Sequence, residues 1–104
     1  MKTEKDYQSE IKQEIKDNPV LLFAKGTKES PRCGFSAQII KILNSYSKEF
    51  VVINVLEDFH KKEQLKKFSN WPTIPQLYVN EEFIGGCDIV SELHENNELA
   101  EILS

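Results

Sequence analysis

The chain has 104 residues, 39% hydrophobic and 29% charged, with a formal net charge of -4. Its length and apolar content fit one modest core, so a single domain over residues 1–104 is expected. The acidic balance argues against a nucleic-acid partner, and the longest apolar run, Val20 to Ala24, falls far short of the ~20 residues a membrane helix requires, so no membrane partner is expected either.

The opening MKTEKDYQSEIKQEIKDN lacks the apolar core of a secretory signal and carries acids foreign to an Arg-rich transit peptide. It reads as part of the fold of a cytoplasmic protein. Within it Tyr7, Ile11 and Ile15 recur at the spacing of an amphipathic helix, which Asn18-Pro19 stops. Val20–Ala24 is continuously apolar, as in a strand buried on both faces. Lys25 to Arg32 is polar, contains Gly26 and Pro31, and reads as a loop leading to Cys33.

Beyond Cys33 and Gly34, the residues Phe35, Ile39, Ile40, Leu43 and Tyr46 keep a helical period. Phe50–Val55 is rich in β-branched residues and predicts a second strand; Asp58 then caps a helix running to about Phe68. Gln76–Val79 and Phe83-Ile84 flank Asn80-Glu81-Glu82 and predict an antiparallel hairpin with Asn80 in the turn. Gly85-Gly86 ends it, Asp88 is placed as the cap of a last helix through Leu93, and Leu99, Ile102 and Leu103 close the core. A βαβ unit followed by a hairpin and a helix is an α/β fold with a mixed four-stranded sheet flanked by helices, the thioredoxin-like arrangement.

The chain has only two cysteines, Cys33 and Cys87, which excludes a disulfide framework and a paired CxxC zinc site and fits a reducing compartment. A thiol at a helix start meets unpaired N–H groups and the positive dipole end, both of which favour thiolate. With Lys25, Lys28 and Arg32 before it, Cys33 has the setting of a nucleophile or a soft-metal ligand, whereas a lone cysteine elsewhere is often inert packing. Trp71-Pro72-Thr73-Ile74-Pro75 precedes a strand. It is either a rigid corner, with an X-Pro bond suited to the cis isomer, or an open edge on which an extended peptide pairs through Thr73. Gly85-Gly86-Cys87-Asp88 is either a plain turn and cap or a place where backbone amides receive a carboxylate. Of Lys61, Lys62, Lys66 and Lys67, a run expected to form a solvated helix face, one is expected to matter. His60 and His94 lack metal-ligand spacing and read as surface residues.

Lys25-Gly26-Thr27, Cys33-Gly34-Phe35-Ser36, Trp71 through Val79 and Gly85 through Val90 together resemble the CGFS-type, or monothiol, glutaredoxins, in four ordered motifs across nearly the whole chain. The resemblance implies a glutathione groove. Lys25 and Lys62 would meet the glycyl carboxylate, Thr73, Ile74 and Pro75 the cysteinyl backbone, and Cys87 and Asp88 the γ-glutamyl end. It further implies that Cys33 is both the reactive thiol and the metal ligand, and that a homodimer bridges one [2Fe-2S] cluster with Cys33 and glutathione thiolates. A BolA-like protein and recipient iron-sulfur apoproteins are the implied partners. Cluster assembly and transfer is then the implied function, with glutathione-dependent thiol-disulfide exchange at Cys33 as the alternative. Ser36 stands where dithiol relatives have a second cysteine. Two departures stand out: Lys28 replaces a frequent proline, implying a looser and more positive loop, and Cys87, present in only some members, is either packing or a reversible disulfide partner of Cys33.

Overall fold

The computed structural model describes residues 1–104. Helix α1 (Glu4–Asp17) opens on a capping box, in which the Thr3 hydroxyl accepts from the Asp6 amide and the Asp6 carboxylate accepts from the Thr3 amide. Its buried stripe is Tyr7, Ile11 and Ile15, as the spacing predicts. Then follow β1 (Val20–Ala24), α2 (Gly34–Asn44), β2 (Val51–Asn54), a short 3-10 turn over Val55–Glu57, α3 (Phe59–Ser69), β3 (Gln76–Val79), β4 (Glu82–Gly85), α4 (Cys87–Glu95) and α5 (Leu99–Leu103).

The sheet is four-stranded and mixed, in the order β2-β1-β3-β4. β1 pairs parallel with β2 and antiparallel with β3, and β4 returns antiparallel beside β3. β1 is buried along its whole length, because the pleat sends alternate residues to two separate cores. Val20, Leu22 and Ala24 pack with Ile39, Ile40 and Leu43 of α2, Val90 of α4, and Leu99 and Leu103 of α5. Leu21 and Phe23 pack on the other side with Ile11 and Ile15 of α1, Leu65 of α3, Ile74 and Tyr78. This is the thioredoxin-like arrangement expected from the element order.

Several local expectations are corrected. The hairpin turn is the two-residue Asn80-Glu81, both at positive φ (48° and 71°), and Glu82 already pairs with Val79. α2 ends at Asn44, so Tyr46 lies beyond it, packing against the α2–α4 core from the following turn. Phe35 shares the α2 period but is 60% exposed in the first turn of that helix. His94 is not a plain surface residue: it is half-buried, and its Nδ1 lies 2.7 Å from the Tyr46 hydroxyl, tying α4 to the segment after α2.

Candidate functional site

The loop from Lys25 to Arg32 is closed on itself. Arg32 N–H donates to the Lys25 carbonyl at 2.8 Å, and Gly26 bridges to Pro31 at φ +98°, where an added Cβ would lie 2.5 Å from Arg32 N. Only glycine fits there. The Asn54 side chain accepts from Gly26 N–H at 2.9 Å, and the ammonium of Lys28 sits 3.9 Å from the centre of the Phe50 ring. Lys28 thus ties the loop to Phe50.

This loop delivers Cys33 to the N-cap of α2 in extended conformation (φ -147°, ψ 137°). Its thiol is half-exposed and free, and its side chain closes no full capping hydrogen bond. The backbone N–H of Ser36 nevertheless holds the Cys33 pKa below that of an ordinary thiol; partial burial opposes this, and the Phe35 amide, the Lys25 charge and the Ser36 hydroxyl assist it. Ser36 is fully buried and its Oγ accepts from Lys25 N–H at 3.1 Å, so one hydroxyl joins the loop to the helix start.

Beside this thiol lies a groove of about 410 Å³. Seven of the sequence-predicted residues line it together: Lys25, Lys62, Thr73, Ile74, Pro75, Cys87 and Asp88. Cys33 itself is not in the wall; Phe35, two residues on, is. The Ile74–Pro75 bond is cis, matching the expectation for this corner. No group of the chain bonds the N–H of Thr73 or the N–H and C=O of Ile74, which leaves an open main-chain edge. Across from it, the amides of Cys87, Asp88 and Ile89 are the unpaired first-turn donors of α4. Gly86 caps that helix, not Asp88: Asp88 is its second residue, and its side chain is left for the groove. Gly86 is tightly placed, since a Cβ there would come within 3.3 Å of both the Pro75 carbonyl and the Trp71 indole nitrogen.

Cys87 is half-buried against the α2–α4 core, and its Sγ lies 4.0 Å from Ser91 Oγ. Burial pushes its pKa up, Ser91 opposes this, and the negative charges of Asp88 and a Cys33 thiolate reinforce it.

Three side chains take parts that the sequence reading missed. Lys66 joins Lys62 in the wall, so the lysine run serves the groove twice. Lys61, by contrast, is buried in an ion pair with α1 and not on a solvated face. Gln76 is fully buried, and its Nε2 donates to the carbonyls of Trp71 (3.4 Å) and Thr73 (3.2 Å), while its Oε1 accepts from Tyr78 OH at 3.3 Å. This turns the Thr73 carbonyl inward and keeps the corner in shape. The i, i+4 spacing of Lys62 and Lys66 is a signal that would have found the second lysine.

Residues 20–84 match the Glutaredoxin family model. Probable monothiol glutaredoxin 2 of Rickettsia typhi is 58% identical over 93 residues, covering 89% of this chain and 84% of that protein. Among solved structures, a monomeric truncated mutant of Trypanosoma brucei 1-C-Grx1 superposes with a TM-score of 0.82 at 36% identity, over 99% of this chain and 90% of that one. The buckwheat glutaredoxin-glutathione complex has the same fold, with a TM-score of 0.84 at 22% identity over 96% and 89% of the two chains. No helix of the chain is long and apolar enough to cross a membrane. The family match and the identity to a relative so named, over nearly the full length of both chains, make this chain a member of the monothiol glutaredoxins.

Proposed function

We propose that the groove binds glutathione and that two copies of the chain hold one [2Fe-2S] cluster between them, for delivery to recipient apoproteins. The observation that carries this reading is a thiol biased toward thiolate beside a groove whose donors fit an anionic tripeptide. Lys25 and Lys62 supply positive charge for the glycyl carboxylate, the free edge of Thr73 and Ile74 pairs with the cysteinyl backbone, and the amides of Cys87 and Asp88 receive the γ-glutamyl carboxylate. The complex formed by the buckwheat relative supports the choice of glutathione.

The donor set also fits the cluster. Fe–S clusters prefer thiolate ligands, and this chain has no group of three or more His, Cys, Asp or Glu side chains able to hold a metal. Cys33 supplies one sulfur per chain, and a bound glutathione supplies a second, so two chains complete the four ligands. When bound, the cluster is cargo carried on one protein thiolate and one exchangeable thiolate per subunit. A BolA-like protein in place of one subunit is the heterodimeric form of the same arrangement.

The lowered pKa of Cys33 favours a second reading, glutathione-dependent reductase. Here the thiolate attacks the glutathione sulfur of a mixed disulfide, the S–S bond breaks, and the substrate thiolate leaves. A glutathione thiolate then attacks the Cys33 mixed disulfide, releasing oxidised glutathione and regenerating the Cys33 thiolate.

Anaerobic reconstitution with iron, sulfide and glutathione separates the two. Visible colour and a dimer on gel filtration, both lost in Cys33→Ser or without glutathione, are the expected result. Rapid turnover of a glutathionylated substrate by a colourless monomer would replace the carrier reading with the reductase.

A further inference from the structure

Helix α3 forms one wall of the groove, yet little apolar contact holds it down. Leu65 and Lys61 are its only buried residues. Beyond the packing of Leu65 with Ile11 and Ile15, its attachment to α1 is polar: Lys61 Nζ donates to Glu10 Oε1 at 2.9 Å and to Glu14 Oε2 at 2.6 Å. Tyr7 OH donates to the Asp58 carboxylate at 3.0 Å, and Gln8 Nε2 donates to the carbonyl and the Oε1 of Gln64 at 3.0 and 2.8 Å. The Lys61 side chain is only 9% exposed, so its charge depends on those two carboxylates.

Lys61 and Leu65 share one helix face by their i, i+4 spacing; Lys62 and Lys66 share the next face and reach the groove. A rigid helix couples these faces. Any shift of α3 on α1 therefore moves both groove lysines. We propose that Lys61 is a positioning residue: its clasp on Glu10 and Glu14 seats α3 and thereby sets the affinity of the groove for an anionic ligand that Lys61 never touches. The proposal rests on the reading of the groove as a glutathione site.

The test uses the full chain with glutathione as probe, comparing wild type with Lys61→Met, Lys61→Arg and Lys62→Met. Affinity is read by titration and helix seating by residue-resolved amide exchange. Apparent affinity scales with the fraction of molecules in the competent state, so a Lys61→Met protein seated in about a tenth of its molecules binds about tenfold more weakly. The expected result is that loss, together with faster exchange in α3 but not in β1 or β3, and recovery of both in Lys61→Arg. Lys62→Met should weaken binding without changing α3 exchange. If Lys61→Met does not fold, Glu14→Gln, which keeps the Glu10 partner, should give a smaller loss of the same kind. Faster α3 exchange with wild-type affinity would reduce the clasp to a structural contact and overturn the proposal, as would no change in either. Wild-type protein that does not bind glutathione would overturn the underlying reading as well.

Discussion

Cys33 and Cys87 each stand in the opening of a helix and lie close enough for the charge of one to act on the other, yet their pKa values move in opposite directions. The difference is one position in the cap. Cys33 is the N-cap of α2, outside the helix and extended, with the amides of Ser36 and Phe35 ahead of its sulfur. Cys87 is the first helical residue of α4, after the Gly86 cap, and its side chain packs back against the core beside Ser91 and the negative Asp88. A place at a helix start therefore does not by itself lower a thiol's pKa: amide hydrogen bonds to the sulfur lower that of Cys33, and burial raises that of Cys87.

The largest effect on this contrast should come from Gly26→Ala. Its Cβ would press on the backbone of Ser30 and Arg32 at a φ of +98°, opening the loop that delivers Cys33. A loss of about 3 kcal/mol in urea unfolding is expected, with reduced Cys33 reactivity and unchanged Cys87. Next is Gln76→Leu, which removes the donors that hold the Trp71 and Thr73 carbonyls in the wall between the two helix starts. A loss of about 2 kcal/mol is expected on denaturant unfolding, with weaker glutathione binding, while both thiols keep the direction of their shifts.

The smallest and most specific changes are at the two serines. Ser36→Ala removes the hydroxyl that links Lys25 to α2 and should raise the Cys33 pKa toward that of a free thiol. Ser91→Ala removes the group that opposes burial at Cys87 and should raise that pKa further. Thiolate absorbance titrations of each variant, with the other cysteine replaced by serine, check both. The linkage has opposite signs as well. A depressed Cys33 pKa contributes stability above the unfolded-state thiol value of ~8.5, lost as pH falls through the folded value; a raised Cys87 pKa contributes below it, lost as pH rises through its own.

The sequence reading succeeded where one residue or one short run is sufficient. Val20–Ala24 is legible because five apolar residues in a row leave no solvent face, and Asp58 because its side chain accepts from His60 and Lys61 N–H as an N-cap should. It misplaced the start of α4 because Asp88 has the chemistry of a cap, while Gly86 caps with no side chain at all. Lys61 and Lys62 are indistinguishable in a charge run; only the carboxylates of α1, about fifty positions earlier in the chain, select one for burial. Gln76 reads as a polar strand residue until the carbonyls it holds are in view. Likewise, the anchoring of Lys28 depends on Phe50, a contact across the fold that no local pattern encodes.

The most direct measurement is the rate of alkylation of each cysteine in the wild-type protein as a function of pH, resolved by peptide mass mapping. Cys33 should titrate below an ordinary thiol and Cys87 above one. Coincident midpoints, or the reverse order, would contradict the proposed role of Cys33 as the reactive, cluster-binding thiolate.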